Sequence, residues 1–195
     1  MRVAQVYYTS CERGLRGTRG FQVQAATPGL SPAVLEYVER LGVYVPPSSC
    51  PTRPTPEEVG RFPRSLRYHL LPGGEALVAL SRYTGQDYSQ RFGNYFTHTL
   101  VVSDPAEAFA SVLPVELWGS PLWSTAESPS PELPPLELRP GSLDVDAFLR
   151  ERREQAPRFL TAVEQALISK RRVILVDDAE SVALWVAAAC RVLPR

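Results

Sequence analysis

Residues 65–102 contain the stretch that decides the fold, "SLRYHLLPGGEALVALSRYTG" at 65–85 and "YFTHTLVV" at 95–102. These runs are rich in β-branched and aromatic residues, and the Pro-Gly-Gly inside the first is typical of a tight hairpin turn. Upstream, residues 3–8 and 21–26 have the same character and predict another pair of strands. We therefore expect an antiparallel sheet of about five or six strands between residues 3 and 102.

Two helices with recognisable caps are predicted beside this sheet. Ser31 can cap a helix over residues 32–41, whose apolar positions fall on one face. Asp104 can cap a second helix over residues 105–112. The combination predicts an α+β fold, a mainly antiparallel sheet packed by helices.

The residues from 142 onward change character. They predict either two helices or one helix interrupted at Pro157. "RRVILVDD" at 171–178 predicts a short buried strand, and residues 179–193 predict a final helix. The result is a C-terminal helix-strand-helix segment, whose single strand either joins the front sheet or belongs to a natural polypeptide that continues further. The apolar side of the last helix is predicted to consist of Val182, Trp185, Val186, Ala189 and Val192.

Two proline-rich stretches interrupt these elements. Residues 45–56 predict an extended surface connection, and residues 119–141 lack any period and predict a wrapping loop or a linker. We therefore predict an antiparallel α+β core at 1–118, a Pro/Ser-rich connection at 119–141, and a helical segment with one strand at 142–195 that could begin a further region.

Composition limits the function classes. The chain has 195 residues, of which 44% are hydrophobic, with 21 basic and 21 acidic side chains. A net charge of zero provides no overall field for nucleic acid or an anionic membrane. No run approaches the roughly 18 apolar residues of a membrane helix, and the start has no apolar signal segment, which predicts a cytoplasmic protein. Three separated cysteines and two histidines argue against a disulfide framework or a zinc site, so we expect no metal and no cofactor.

The first candidate site is the loop "RGLRGTRG" at 13–20, in which Arg13, Arg16 and Arg19 each precede a glycine. Backbone N–H groups and guanidinium groups in such a loop can bind phosphate. However, the P-loop spacing is absent, and a strand follows where the dinucleotide fingerprint requires a helix. A glycine-dependent turn is the favoured interpretation, and the three arginines remain candidate contacts for an anionic partner.

The second candidate site lies just before and within the strand at 95–102. Asp87, Arg91, Asn94 and His98 are close together in the sequence. His98 shares a strand face with apolar neighbours. It is therefore interpreted either as a core histidine bonded to a neighbour, which is favoured, or as a site residue.

Two further patterns could indicate a catalytic or metal site. Cys11 at a strand end could be a nucleophile with His98 as base and Asp87 as the orienting group, but nothing in the sequence brings the three together. An apolar strand ending in Asp177 and Asp178 resembles the magnesium-holding strand of P-loop NTPases, but no P-loop precedes it. A helix cap is the favoured role of Asp178.

Several stretches together resemble one protein family, the N-terminal domain, second type, of bacterial GTPase-associated protein 1. They are "QVYYTSCERGLRGTRGFQVQAATPGL" at 5–30, "YSQRFGNYFTHTLVV" at 88–102, "LPVELWGSPLW" at 113–123 and "VALWVAAACRVLP" at 182–194. Members are large multidomain proteins encoded beside small GTPases and other NTPases, with a proposed role as adaptors or scaffolds in bacterial conflict systems. The resemblance implies that this chain is the N-terminal part of such a protein, and it provides no catalytic residues.

Together these observations predict a non-enzymatic interaction or adaptor module of a conflict (defence) system, with a small GTPase or another NTPase-system protein as partner. The alternative is a nucleotide- or phosphate-binding domain or a hydrolase. It would use the loop at 13–20 together with Asp87, Arg91, Asn94 and His98, and it requires these groups to converge in one pocket.

Overall fold

The predicted antiparallel sheet is present in the computed structural model, which describes residues 1–192. The strands lie in the order β2-β1-β5-β4-β3 with antiparallel neighbours, and β6 pairs with the start of β1. The α+β prediction is thus confirmed. The strands are β1 (Arg2–Cys11), β2 (Gly20–Ala26), β3 (Ser65–Leu70), β4 (Ala76–Gln86), β5 (Phe92–Val102) and β6 (Leu136–Glu137).

The hairpin between β3 and β4 forms where Pro-Gly-Gly predicted it. The Leu71 N–H donates to the carbonyl of Glu75 at 2.8 Å, and Gly74 has a φ of 95°, in the left-handed region that favours glycine. β4 and β5 lie in the interior of the sheet and are buried along most of their length. This is why their sequences are nearly continuous apolar and β-branched runs.

Helix α1 (Pro32–Leu41) covers one face of the sheet, as predicted. The Ser31 hydroxyl accepts a hydrogen bond from the Val34 N–H at 3.3 Å and caps the first turn. Val34 and Val38 are buried in the same core cluster as Val6 of β1. The apolar stripe of α1 therefore anchors the helix on the centre of the sheet.

Helix α2 (Pro56–Arg61) was not predicted and begins at the last residue of the proline-rich run at 45–56, which was predicted to be extended. The Thr55 N–H donates to the Glu58 carboxylate at 2.7 Å, and the Glu58 N–H donates to the Thr55 hydroxyl at 3.3 Å. This is a capping box, a signal that the sequence Thr-Pro-Glu-Glu already contained.

The opposite face of the sheet is covered by residues 121–139, which we call the strap. The Gln24 amide exchanges two hydrogen bonds with the backbone of Ser128, at 2.8 and 3.0 Å. The Gln5 amide donates to the carbonyl of Pro134 at 2.6 Å. Of the two interpretations of this proline-rich stretch, the strap is therefore a wrapping loop.

The second predicted helix, at 105–112, is shorter than expected. Helix α3 spans only Pro105–Ala108, with Asp104 as its cap. Pro114 opens a separate 3-10 turn, Pro114–Leu117, and Leu113 before it is extended. Pro114 keeps Leu113 extended, because the residue before a proline disfavours the α region, and so separates α3 from the 3-10 turn.

Two compact units result from these contacts. The first combines residues 1–110 with 121–139, and the second combines 111–120 with the residues from 140 onward. The second unit contains α4 (Val145–Glu151), α5 (Ala156–Ile168) and α6 (Ala179–Val192). Of the two interpretations of the stretch before residue 169, two separate helices are therefore the one that the structure shows. The predicted domain boundaries at 118/119 and 141/142 stay a prediction.

The short buried strand predicted at 171–178 is wrong. These residues lie outside every strand, and Ile174 and Val176 are 87% and 89% exposed. The physical reason is that no strand of the described residues lies beside them, so the apolar run has nothing to pair with.

Helix α6 buries only part of the predicted side, on which Val182 is half-buried. Trp185 and Ala189 are buried, but Val186 is 40% and Val192 61% exposed. Small side chains such as Ala187 occupy the buried positions instead, and they allow close approach to the neighbouring helix. Leu193, the last residue of the predicted helix, lies outside the described residues. Within residues 1–192, no helix combines the length and apolar character needed to span a membrane.

Candidate functional site

The loop between β1 and β2 is folded back on its own hairpin. The Leu15 N–H donates to the carbonyl of Val23 at 2.9 Å, and the Arg16 N–H donates to the Gln22 side chain at 3.3 Å. A Cβ on Gly14 would lie 2.5 Å from that same carbonyl of Val23. Gly17 has a φ of 68°, so these glycines serve the turn itself.

Two of the three loop arginines are neutralised by carboxylates. Arg16 pairs with Glu39 of α1, and Arg19 pairs with Glu12 at 3.1 Å. Arg13 is exposed and forms no ion pair with any of residues 1–192. The loop therefore does not present three free cations to one phosphate.

The loop between β4 and β5 is organised by Asp87, whose side chain is only 6% exposed. Its carboxylate accepts hydrogen bonds from the Ser89 N–H and hydroxyl, at 2.8 and 2.7 Å, and from the Arg91 Nε and Nη2, at 3.2 and 3.0 Å. Burial alone would raise the pKa of Asp87, but the hydrogen bonds from Ser89 and Arg91 outweigh it and hold that pKa well below its ordinary value. Asp87 is therefore an ionised structural centre of this loop.

The last residues of β1 connect the two loops. The Ser10 hydroxyl donates to Asp87 at 3.1 Å, and the Ser10 N–H donates to the Asn94 side-chain oxygen at 3.2 Å. Since β1 and β5 are antiparallel neighbours, with Thr9 opposite Phe96, the β1–β2 and β4–β5 loops lie at the same end of the sheet. The structure thus brings Asp87 and Asn94 together around Ser10.

Exposed aromatic and aliphatic side chains accompany these polar groups. Phe21 is 44% exposed and stacks on Tyr95 with a ring separation of 4.5 Å. Tyr88 and Phe92 are 38% and 40% exposed, and Leu15 is 44% exposed. We call residues 12–21 and 87–92 the hairpin-tip surface.

One tip residue has an unfavourable backbone conformation. Gln90 has a φ of 63°, and its carbonyl accepts from the Gln86 amide at 2.9 Å. A non-glycine residue in the left-handed region costs of order 1 kcal/mol and persists only when its surroundings fix it. Such conformations concentrate at functional loops.

His98 lies away from this surface, in the middle of β5. Its ring is fully buried, and Nδ1 accepts a hydrogen bond from the Ser124 N–H of the strap at 3.0 Å. Tyr7 and Trp123 contact the ring edge to face, at 4.8 and 5.2 Å. Burial lowers the pKa of His98 to about 3, so the imidazole is neutral at physiological pH. The seven candidate residues therefore do not share one pocket.

The nucleophile pattern is not formed. His98 is bonded to Ser124 and not to Asp87, and β5 places it opposite Tyr7, four positions before Cys11 along β1. Four strand residues span about 13 Å. Burial, followed by the nearby Glu127 carboxylate, raises the pKa of Cys11 to about 11, so this thiol is not an activated nucleophile.

The two acidic residues before α6 have structural roles. The Asp178 carboxylate accepts from the Ser181 N–H at 2.9 Å and from its hydroxyl at 2.6 Å, which caps α6. No group of three potential metal ligands is found among residues 1–192.

The sequence matches two family models in succession. Residues 2–138 match the model described as GTPase-associated protein 1, N-terminal domain type 2, and residues 145–195 match the GTPase-associated protein 1 middle domain. The first match alone covers more than half of the chain.

The chain belongs to the GTPase-associated protein 1 family. No curated protein matches it. The match to the N-terminal domain contains both loops of the hairpin-tip surface.

Within this GTPase-associated protein 1 domain, the sequence did not predict several residues at or beside the hairpin-tip surface. Arg53 lies beside Arg91 and Phe92 in a groove of about 470 Å³, although 38 positions separate Arg53 from Arg91 in the chain. The Ser10 hydroxyl was missed because only the pairing of β1 with β5 brings it to Asp87. The aromatic residues at the ends of the two loops, Phe21 and Phe92, are the sequence feature that could have indicated this surface.

Proposed function

We propose that this chain is a non-enzymatic interaction module that binds a small GTPase or another NTPase-system protein, as the adaptor of a bacterial conflict system in the cytoplasm. The observation that carries the proposal is the hairpin-tip surface, where half-exposed aromatic rings and arginines share one end of a sheet. The family name, GTPase-associated protein 1, supports a GTPase-related partner.

The chemistry of this surface suits protein recognition. Aromatic residues and arginine are enriched at the centres of protein interfaces and dominate their binding energy. Phe21, Tyr88 and Phe92 provide such rings without being fully exposed. These rings have few rotatable bonds, so they lose little entropy on binding.

The surface is also preorganised. The Asp87 carboxylate connects Ser10, Ser89 and Arg91 and keeps the β4–β5 loop in one conformation. A loop that is already ordered does not have to be ordered on association, which favours affinity. Arg13 in this surface and Arg53 beside it, which form no ion pair within residues 1–192, provide positive charge for an acidic partner surface.

The test is biolayer interferometry of the chain against small GTPases of the same organism, loaded with GDP or with a GTP analogue. We expect binding in at least one nucleotide state. Phe92→Ala should weaken it by roughly tenfold or more, as is typical of interface anchors. Arg13→Glu should mainly slow association and reduce its salt dependence.

Two matched variants control for non-specific effects. Tyr68→Ala removes another ring, 46% exposed, on the edge strand β3, and Arg158→Glu reverses an exposed charge in the second unit. Both should bind the GTPase like the unmodified chain. Absence of binding in both nucleotide states, or equal losses in the control variants, would contradict the proposal.

A second candidate function is phosphate or nucleotide binding, favoured by the groove that Arg53 and Arg91 line. Thermal shift against GTP, GDP, ATP and inorganic phosphate tests it. A ligand at a hundred times its Kd stabilises a protein by about 2.7 kcal/mol. A shift that Arg53→Ala abolishes would favour this function, whereas an unchanged melting temperature with the whole panel would rule it out.

A further inference from the structure

The segment between α5 and α6 exposes an apolar run that its surroundings do not cover. Ile174 and Val176 are 87% and 89% exposed, although β-branched apolar residues are normally buried. Leu175, between them, packs against the cluster of Phe148 and Trp185. The segment thus alternates like a strand, with one side on its own core and the other in solvent.

The backbone of this segment is also unpaired. No hydrogen bond joins residues 173–176 to any other residue within 1–192. Valine and isoleucine favour the extended conformation. An extended apolar segment with free N–H and C=O groups is a template for pairing with another strand.

The charges that flank the run indicate which strand could pair with it. Arg171 and Arg172 precede it, and Asp177 and Asp178 follow it. All four residues are exposed. A second copy that runs antiparallel, with the two-fold axis between positions 174 and 175, places basic residues opposite acidic ones. The resulting pairs are Arg171 with Asp178, Arg172 with Asp177, Val173 with Val176, and Ile174 with Leu175.

The same register buries the exposed side chains. Residues directly opposite each other in an antiparallel pair point to the same face. Ile174 of one copy therefore points to the face on which Leu175 of the second copy contacts its own Phe148–Trp185 cluster. A parallel pair would instead oppose like charges at both flanks, which destabilises a sheet.

We infer that residues 171–178 form an isologous antiparallel strand pair with a second copy of this chain. The Phe148–Trp185 clusters of the two copies lie on opposite faces of the strand pair. Each cluster covers Ile174 and Val176 of the other copy. This interface is distinct from the hairpin-tip surface and does not depend on the GTPase-binding proposal.

Sedimentation equilibrium over a range of protein concentrations tests the pair. The unmodified chain should form dimers, and Ile174→Lys should weaken dimerisation by roughly tenfold or more, because a buried apolar contact is replaced by a charge. Val45→Lys changes another highly exposed valine, in the first unit, and should leave dimerisation unchanged. Circular dichroism verifies that each variant is folded.

Charge exchange tests the register. Arg172→Asp alone and Asp177→Arg alone each place like charges opposite each other and should weaken the homodimer. A mixture of the two variants restores opposite charges at both pairs and should form a heterodimer. Asp177 also accepts a long hydrogen bond from Trp185, at 3.4 Å, so Arg172→Asp is the milder of the two changes.

Amide hydrogen exchange of the unmodified chain gives a test that does not require a variant. Residues 173–176 should become protected as the protein concentration rises through the dimer range. A chain that stays monomeric at all concentrations would overturn the inference. Dimers without protection at 173–176, or without any effect of Ile174→Lys, would do so equally.

Discussion

Gly14 lies where the β1–β2 loop crosses β2, and no side chain fits there. A Cβ would lie 2.5 Å from the Gln22 side chain and from the carbonyl of Val23. Backbone cannot give way as a flexible side chain can, so we expect Gly14→Ala to lower the free energy of unfolding by about 1–3 kcal/mol. Urea unfolding at neutral pH measures this loss.

Gly60 provides the matched control. It lies inside α2, where an added Cβ would meet no atom within 4 Å. Gly60→Ala should therefore stabilise the chain by about 0.5–1 kcal/mol, since alanine restricts the unfolded chain and favours helix. Equal effects of the two substitutions would refute the steric role of Gly14.

His98 makes the stability depend on pH. Burial lowers its pKa to about 3, whereas an unfolded chain binds the proton near pH 6.5. The unfolded state thus holds more protons between these values, and stability is lost as the pH falls from about 6.5 towards 3, by up to about 1.4 kcal/mol per pH unit. In His98→Gln the slope between pH 6 and 5 should become much shallower, as chemical denaturation at pH 7, 6 and 5 can show, whereas the other histidine variant, His69→Gln, should retain most of it. A slope unchanged by His98→Gln would show that other groups cause the acid sensitivity.

For individual residues, the sequence predicted proximity where the partners are close in the chain. Asp87 and Arg91 form one loop, and their proximity was readable from a spacing of four. The ion pair of Arg16 with Glu39 was not readable, because only the packing of α1 beside the hairpin joins the two. The burial of His98 was one of two open interpretations, since the strap that covers it comes from a proline-rich stretch without a period.

The strap is attached to the sheet by backbone pairing at Ala26, whose N–H donates to the Pro131 carbonyl at 3.0 Å, and by polar side chains. The Gln24 amide is 7% exposed and both donates to and accepts from the backbone of Ser128. At Ser128 the Gln24 side chain thereby satisfies backbone groups that strand pairing would otherwise satisfy. Gln24→Ala should leave two half-buried backbone groups of Ser128 without their partner and cost about 1 kcal/mol.

Amide hydrogen exchange locates this effect. In Gln24→Ala, the Ser128 N–H and its neighbours in the strap should exchange faster, whereas β4 and β5 should remain protected at their centre. Gln165→Ala, on the exposed side of α5, should change stability by no more than about 0.5 kcal/mol. Unchanged exchange in the strap would mean that Gln24 does not hold it.

Helices and strands were predictable where the sequence pattern agrees with the neighbours that the fold provides. The β3–β4 hairpin and β5 carry strand-like composition, a glycine turn and neighbours on the sheet. Residues 171–178 carry a strand-like composition as well, but a strand requires a partner, and composition does not show whether one lies beside it. The buried face of α6 was predicted only in part, because alanines at its buried positions are less hydrophobic than its exposed valines.

The two compact units have separate cores of different size. The first is built on the sheet and includes a cluster around Val6, Val38 and Leu77. The second consists of small clusters around Val145 and Trp185. Below roughly 70–80 residues a single core supplies only about 3–5 kcal/mol, and the second unit is smaller than that.

We therefore expect unfolding in two steps, with the second unit first. In the variant Trp123→Phe, the remaining tryptophans, Trp118 and Trp185, both belong to the second unit, so their fluorescence reports on it alone. Hydrogen exchange of the β4 and β5 amides follows the sheet of the first unit at the same urea concentrations. The fluorescence midpoint should come at lower urea, at a protein concentration where the chain is monomeric, because fewer apolar contacts hold the second unit. Coincident midpoints would instead show that the two units unfold as one cooperative body.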